Sequence, residues 1–198
     1  AVSDADTGRL LDVRAGRLML AEITDVRKGA RGAPGELRGN FLRDRVELGN
    51  IGVNSRYGVY GTLDEPLENA LYPSGVPVRY QESVRLGDAQ ILSSVDGEGV
   101  KAYDVEIISC ARQSARAPKS MVLRVTDKRL LDKTGGIVQG MSGSPILQDG
   151  GIIGAVTHVF VDDPTRGYGL YIEWMLDTAE GIDRQSSYGK RDSARSAA

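Results

Sequence analysis

Cysteine and histidine are nearly absent from this chain, with one of each, Cys110 and His158, among its 198 residues. A single cysteine excludes an intrachain disulfide, and its position at the end of an apolar run predicts a buried, unreactive thiol. One histidine and one cysteine are too few for a His/Cys zinc site. We therefore expect no metal ligands here, and we expect no cofactor.

Long apolar runs and excess charge are absent too. No run of about 18 apolar residues occurs, so the sequence predicts no membrane-spanning helix. A formal net charge of −2 gives no basic footprint for nucleic-acid binding. The chain opens at Ala1 with neither methionine nor a signal peptide, which indicates a processed or truncated piece of a longer protein.

Glycine is abundant, with 25 residues, and it separates short runs rich in β-branched side chains. Many short strands between turn signals favour a sandwich or barrel. One helix is predicted over Ile172–Ala179, a Gly/Pro-rich loop over Arg27–Gly39, and a disordered tail from residue 184 on. The predicted strands are Arg17–Val26, Val46–Val53, Gly58–Leu63, Val76–Tyr80, Ala89–Val95, Val100–Ser109, Met121–Thr126, Ile146–Leu147 and Gly151–Val161.

The segment from Gly140 to Pro145 has the form Gly-x-Ser-Gly-x-Pro and presents Ser142 in a turn before a predicted hairpin. Such a turn suits an exposed nucleophile, because glycine lets the backbone approach a substrate closely. The turn also aims backbone N–H groups at a developing oxyanion. A Gly/Ser-rich hairpin turn without chemistry is an equal alternative on spacing alone.

A serine nucleophile needs a base, usually a histidine oriented by a carboxylate. Asp127 follows a predicted strand, although the residues alone favour a turn or N-cap role before Lys128–Leu131. His158 lies within a predicted strand, where it either lines a substrate pocket or is a half-buried strand histidine. It is a weaker candidate for the base, because it follows Ser142 so closely on a neighbouring strand.

Several long stretches of the chain closely resemble the SpoIVB-type sporulation peptidases, peptidase family S55. The resemblance extends from about Ala1 to Ile182. It is carried by Thr134–Ile146 (TGGIVQGMSGSPI), Gly154–Thr165 (GAVTHVFVDDPT), Gly167–Gly169 and Ile172–Leu176, and further by Lys28–Gly29, Gly32–Glu36, Leu48–Ile51 and Gly58–Leu63.

The resemblance implies a serine endopeptidase domain over residues 1–183 with a mainly-β, chymotrypsin-like double β-barrel. Its N-terminal barrel is expected to be incomplete, and a short C-terminal helix follows the second barrel. Carried onto this chain, Ser142 is the nucleophile and Asp127 the third member of the triad, with Asp64 as a fallback carboxylate. The N–H groups of Gly140 and Ser142 form the oxyanion hole. His158 and Thr157 are expected to contact the substrate.

The catalytic histidine of the family lies in a Leu-Gly-His segment, directly followed by a stretch like Val2–Thr7 of this chain. It would therefore immediately precede Ala1. The chain as given lacks its general base, so we expect it to be inactive alone. The family's upstream PDZ domain and membrane anchor are also absent from it.

The resemblance further implies a protein substrate, namely an extracytoplasmic segment of a regulator of an intramembrane protease, together with self-cleavage. It places this activity between the forespore and mother-cell membranes.

Two alternatives stay open. One is a catalytically inactive protease fold that binds peptides or a partner protein. The other is a serine hydrolase that uses a lysine as base, with Lys133 and Lys119 as the nearest candidates.

Overall fold

The computed structural model describes residues 1–4, 7–13, 15–42 and 46–182; the predicted disordered tail, residues 184–198, lies outside them. The strands are β1 (Gly16–Met19), β2 (Ala21–Arg27), β3 (Glu36–Phe41), β4 (Glu47–Ser55), β5 (Gly58–Leu63), β6 (Gly87–Ser93), β7 (Lys101–Cys110), β8 (Met121–Val125), β9 (Pro145–Gln148), β10 (Gly151–Phe160) and β11 (Asp163–Tyr171). Helix α1 spans Lys128–Thr134, and helix α2 covers residues 172–182. Within the described chain, no helix has the length and apolar character needed to cross a lipid bilayer.

The C-terminal part of the chain is a closed antiparallel barrel of six strands in the order β10-β11-β8-β7-β6-β9. Alternate side chains of these strands point inward, as in the pattern of buried and exposed residues along β8. Ile91, Ile107, Leu123 and Ile146 are completely buried at its centre. Burying each such side chain stabilises the fold by about 1.5–3 kcal/mol, so this barrel is the rigid scaffold of the molecule.

Among the described residues, the N-terminal part does not close into a second barrel. It contains a three-stranded sheet, β1-β4-β5, and a separate two-stranded ribbon, β2-β3. Large apolar side chains remain exposed on these strands, with Phe41 67% and Leu63 48% accessible. The predicted fold class is therefore confirmed: a mainly-β chain with one complete barrel, an incomplete N-terminal one and a C-terminal helix.

The predicted strand Arg17–Val26 is wrong as a single element. The chain leaves β1 at Met19 and enters β2 at Ala21, and the two strands pair with different partners, β4 and β3. Leu20 makes the crossing, since its N–H donates to the Val46 carbonyl at 2.9 Å. Hydrophobic alternation continues through such a crossing and does not reveal it.

Two further sequence-based assignments are corrected. Val76–Tyr80 is not a strand; it forms only an isolated parallel bridge between Val78 and Ile152, and Pro77 lacks the N–H that a longer ladder would need. The predicted loop Arg27–Gly39 is cut short, because its last residues, from Glu36 on, belong to β3 and pair with β2.

Candidate active site

Ser142 lies in a short turn that leads into β9, at one end of the closed barrel. Met141 before it is buried, with 1% of its surface accessible, whereas Ser142 itself is exposed. The Ser142 Oγ donates a hydrogen bond of 2.8 Å to the main-chain carbonyl of Thr157 on β10. The hydroxyl therefore faces solvent beside β10, where an external peptide can reach it.

Main-chain hydrogen bonds fix this turn to β10. The Gly143 N–H donates to the Val156 carbonyl at 2.8 Å, and the Val156 N–H donates to the Ser144 carbonyl at 2.9 Å. Gly143 has φ +95°, a left-handed conformation that favours glycine. The turn is thus held on both sides of Ser142, which orients the hydroxyl.

Two main-chain N–H groups next to the hydroxyl are free to receive an anion. Among the described residues, neither the Gly140 nor the Ser142 N–H finds an acceptor, whereas the Met141 N–H between them donates to Val138. Gly140 has φ +98°, and both Gly140 and Ser142 are exposed. Paired N–H donors of this kind stabilise the oxyanion of a tetrahedral intermediate.

The segment before Ser142, residues 135–141, is here called the nucleophile loop. It is fixed by residues 28–37, here called the clamp segment, and by the start of β11. Such a double contact orders a loop that has no regular secondary structure of its own. Hydrogen bonds from an N–H to a carbonyl join Leu37 to Gln139 (2.8 Å), Gln139 to Gly35 (2.9 Å) and Ile137 to Pro164 (2.8 Å). A further bond, from the Gly29 N–H to the Thr134 carbonyl (2.8 Å), fixes the last residue of α1 directly before the loop.

Glycines make these contacts possible, because the backbones meet without room for a side chain. Gly136, at φ +135°, lies directly against the carbonyl of Pro164. Gly35 lies against the Arg27 carbonyl, and a Cβ placed on it would also lie 2.6 Å from the Val138 side chain. The glycine-rich stretches on both sides of this contact are therefore explained by close approach of main chains.

His158 is exposed on β10, directly opposite Tyr168 on β11, and its ring makes no hydrogen bond to the described residues. Partial burial, the charge of Lys119 and the amino terminus of the chain lower the pKa of His158 below its usual value. The imidazole is therefore neutral at pH 7.

Asp127 is the N-cap of α1, as its local sequence predicts. Its Oδ1 accepts from the main-chain N–H of Arg129 at 2.8 Å, and its Oδ2 from the Arg129 guanidinium at 2.6 Å and the Asp104 N–H at 3.3 Å. These bonds, above all those from the Arg129 side chain, lower the pKa of Asp127 to about 2. The carboxylate is buried, with 5% of its side chain accessible.

The described contacts do not bring Asp127 to Ser142. The Met121 end of β8 pairs with Gly169, which in turn pairs with Val156 beside the serine turn. Asp127 lies six residues further along the chain from Met121, roughly 20 Å if fully extended. Its role as the third member of a triad therefore stays a prediction.

The remaining predicted residues lie in different places. Asp64 is exposed just after β5, and its N–H donates to the Leu48 carbonyl at 3.0 Å. Lys133 is exposed in the last turn of α1, where its charge contributes to the lowered pKa of Asp96. Lys119 is different, because its Nζ lies 4.4 Å from the centre of the ring of Tyr168, the residue opposite His158.

A scan against models of protein families matches residues 1–176 to the SpoIVB peptidase S55 family. The chain belongs to the S55 family. Membership agrees with the serine turn, where Ser142 is exposed and the Gly140 and Ser142 N–H groups have no acceptor among the described residues.

Comparison with other known proteins adds little to the S55 assignment. A search of curated proteins finds no match. The active-form crystal structure of the Rv3671c protease from M. tuberculosis is 18% identical, with a TM-score of 0.41, covering 77% of this chain and 76% of that one. The inactive form of the Rv3671c protease is 15% identical, with a TM-score of 0.39, covering 85% and 88%.

The sequence predicts a serine turn at Ser142, whose role as the nucleophile stays a prediction, but it does not reveal which segment holds that turn. The clamp segment is more than 90 residues before the nucleophile loop, and no local pattern connects the two. The one available signal is the run of glycines around Gly29 and Gly35 on one side, and Gly135 and Gly136 on the other. The sequence also does not predict that Lys119 lies near His158, because this proximity arises where the connection before β8 packs against β10.

Replacing Asp127 by asparagine should lower the stability of the S55 chain in a pH-dependent way. The depressed pKa means that the ionised carboxylate stabilises the fold above about pH 4, and that this contribution is lost as the pH falls from about 4 to about 2. Asparagine keeps the N-cap but not the charge. We expect a loss of about 1 kcal/mol at pH 7, since Arg129 is exposed to solvent and screening weakens the pair.

Urea unfolding of both proteins at a series of pH values measures this difference. The two unfolding free energies should converge as the pH approaches 2. Asp132→Asn, an exposed change on the same helix, is the control and should alter the free energy by less than about 0.5 kcal/mol. A difference that is independent of pH would contradict the assignment of the charge effect to Asp127.

Proposed function

We propose that this S55 chain is the catalytic part of a serine endopeptidase in which Ser142 attacks the carbonyl of a peptide bond. One observation carries the proposal. Ser142 is exposed, and two N–H groups of the same turn, those of Gly140 and Ser142, have no acceptor among the described residues. A plain hairpin turn gains nothing from N–H groups without acceptors, whereas acyl transfer needs such donors for the oxyanion.

The reaction follows from this geometry. A base removes the hydroxyl proton as Oγ bonds to the peptide carbon, and the carbonyl electrons move onto the oxygen. The N–H groups of Gly140 and Ser142 hold that oxyanion, each contributing about 10²–10³ in rate. The C–N bond then breaks, the leaving amine takes the proton from the base, and water hydrolyses the acyl-enzyme by the same steps in reverse.

The substrate is proposed to bind along the edge of β10. Beyond Ala155, which pairs with Pro145 of β9, this edge has no partner strand among the described residues. Further along, the Gly32 N–H donates to the Val161 carbonyl at 2.9 Å and ends the open stretch. An extended peptide can add there as an antiparallel strand.

Substrate binding would also release the nucleophile. The Thr157 carbonyl, which now accepts from the Ser142 hydroxyl at 2.8 Å, faces the open edge and is positioned to accept an N–H of the peptide. Once the peptide takes that acceptor, the serine proton is available to the base. Thr157 and the neighbouring His158 are thus the proposed substrate contacts.

The base in this proposal is a histidine directly before Ala1. Its support is the S55 resemblance, in which a Leu-Gly-His segment directly precedes a stretch like Val2–Thr7. The start of the chain is anchored to β4, since the Val2 N–H donates to the Asn54 side chain at 2.9 Å. Asp127 is the carboxylate that the S55 resemblance supplies for orienting this histidine, and Asp64 is the alternative.

The test measures cleavage of a mixture of extended peptides, detected by mass spectrometry, with two forms of the protein. One form is this chain; the other, called the histidine-bearing or extended form, also carries the upstream histidine that the family motif supplies. Only the extended form should cut, and changing its histidine to alanine should lower the cleavage rate by a factor of roughly 10⁴ or more. Equal cleavage by the unextended chain would show that the base is elsewhere.

The same experiment separates the alternatives. If the unextended chain cuts, Lys119→Met and His158→Ala identify which neighbour of Ser142 acts as base. If the extended form binds peptides but cuts none, the chain is a peptide-binding module with a protease fold. If Asp127→Asn in the extended form lowers the rate about 10⁴-fold, Asp127 orients the histidine; a change in stability alone leaves it as the helix cap.

We also propose the biological setting that the S55 resemblance implies. The protein would act in sporulation signalling by cleaving a regulator of an intramembrane protease, and it would cut itself. Both events would take place between the forespore and mother-cell membranes, with the parent protein anchored in a membrane. Self-cleavage is directly testable, since new amino termini should appear in the histidine-bearing form and not in its Ser142→Ala variant.

A further inference from the structure

An aromatic surface with cations at both ends lies next to Ser142 on the outer side of β10 and β11. Tyr168 and Phe160 stack with ring centroids 4.6 Å apart. The Lys119 Nζ lies 4.4 Å from the centre of the Tyr168 ring, and the Arg166 guanidinium 5.3 Å from the centre of the Phe160 ring. Together with His158, these four residues are called the cation–aromatic surface.

This surface is joined to the nucleophile through a single residue. The Thr157 carbonyl accepts a hydrogen bond from the Ser142 hydroxyl. The Thr157 side-chain hydroxyl lies within hydrogen-bond distance of the carbonyls of Tyr168 (3.2 Å) and Pro118 (3.4 Å). Lys119 directly follows Pro118, and His158 directly follows Thr157. A peptide that pairs with β10 at Thr157 therefore passes along this surface as it leaves Ser142.

The two cations of the surface differ in what they are free to bind. Arg166 is paired with Asp163 at 2.6 Å. Lys119 forms no ion pair with any carboxylate in the part of the chain that the structure describes, and His158 also makes no hydrogen bond there. The ammonium group over the Tyr168 ring and the ring N–H of His158, the residue opposite Tyr168, are thus donors without an acceptor among the described residues.

The barrel-facing side of β10 and β11 presents no charged group at Gly167 that could select a substrate side chain by its charge. A Cβ added at Gly167 would lie 2.6 Å from the Ile137 side chain and 2.7 Å from the His158 carbonyl, so the barrel side is filled and apolar. Side chains of an extended peptide alternate between the two sides. Those that turn outward meet the cation–aromatic surface.

We propose that the cation–aromatic surface is a specificity subsite for an acidic side chain, aspartate or glutamate, within the three substrate residues that precede the scissile bond. The carboxylate would accept hydrogen bonds from Lys119 and His158 at the Tyr168 end of this surface. This inference rests on the proposed peptidase function and specifies its substrate. We expect roughly a five- to thirtyfold preference for Glu over Gln, because a charge-assisted hydrogen bond over an aromatic ring exceeds an isolated surface ion pair.

Binding of fluorescent ten-residue peptides to the Ser142→Ala chain, measured by anisotropy, tests the subsite without cleavage. Matched peptides carry Glu, Gln or Lys at each of the three positions in turn. Lys119→Met should remove the preference for Glu, and Lys119→Glu should turn it into a preference for Lys. Lys128→Met is the control, because Lys128 is an exposed residue at the start of α1, away from this surface. It should leave the preference unchanged.

The outcomes separate this subsite from the peptidase function. A Lys119-dependent preference for Glu supports the subsite even if the histidine-bearing form cuts nothing, in which case only the peptidase proposal fails. Cleavage by the histidine-bearing form without any charge preference overturns the subsite and leaves the peptidase proposal standing. Failure of every peptide to bind, or a preference for Glu that Lys119→Met does not reduce, also overturns the subsite.

Discussion

Ser142→Ala will abolish peptide cleavage by the histidine-bearing form, with a fall in kcat on the order of 10⁶-fold. In the proposed mechanism the hydroxyl forms the acyl-enzyme bond, and Ser142 is the one exposed serine among the described residues of this turn. The Ser142 side chain makes one hydrogen bond, to the Thr157 carbonyl on the surface, so the unfolding temperature should change little. Peptide binding should also persist, because it uses the edge of β10.

Ser144→Ala is the matched control for this change. Ser144 lies two residues away in the same turn, and its hydrogen bonds to Met141 and Val156 use the main chain alone. Its replacement should leave kcat within a few-fold of the parent. Single-turnover kinetics and thermal unfolding of both variants measure the two effects. Substantial cleavage by Ser142→Ala, or equal losses in both variants, would contradict the assignment of the nucleophile.

Gly136→Ala is expected to cost more than about 3 kcal/mol of stability and to inactivate whatever protein remains folded. Gly136 has φ +135°, and a Cβ would meet the Pro164 carbonyl and lie 2.8 Å from the Thr165 nitrogen. The unusual φ alone costs about 1–2 kcal/mol, and a clash with main-chain atoms is not relieved by a rotamer change. The nucleophile loop must move, which displaces the Gly140 N–H and loses about 10²–10³ in rate.

The control for this prediction is Gly150→Ala, in the β9–β10 hairpin. Gly150 also has a positive φ, +74°, but a Cβ there would meet nothing within 4 Å. It should lose about 1–2 kcal/mol and keep its activity. Urea unfolding combined with kcat at a temperature where both variants are folded makes the comparison. Equal losses from the two substitutions would show that the close contact with Pro164 does not position the loop.

The strands that the sequence predicts well are those whose pattern is complete within a few residues. Met121–Thr126 alternates cleanly and becomes β8, one residue shorter. The hairpin of β9 and β10 is predicted from its Asp149–Gly150 turn, where φ is +50° and +74°. Both residues take the left-handed conformation that such a two-residue turn requires. Local chemistry alone decides these elements.

Elements that depend on distant partners could not be predicted in this way. Helix α1 has only seven residues, too few to show a helical period, although Asp127 marks its start. β11 contains Pro164, Gly167 and Gly169, which argue against a strand in isolation. Gly169 is required there because a Cβ would lie 2.6 Å from Ile146 across the barrel. Such reasons become visible only once the barrel is closed.

The same division applies to the candidate site. The proposed nucleophile and the two N–H groups proposed to bind the oxyanion lie within three consecutive residues, so the motif from Gly140 to Ser142 predicts them together. The clamp segment and the cation–aromatic surface are built from residues far apart in the chain, and neither has a motif. The predicted pairing of Asp127 with the site rests on the S55 resemblance alone, since local sequence explains Asp127 fully as a helix cap.

Covalent labelling with a fluorophosphonate tests the central claim most directly, because this reagent forms a stable phosphonyl ester with an activated serine. Both the histidine-bearing form and the unextended chain should be treated, digested and analysed by mass spectrometry. The account predicts one adduct, on Ser142, formed rapidly in the histidine-bearing form and far more slowly in the unextended chain. An adduct on another residue, or equal labelling of Ser142 in the two forms, would contradict it.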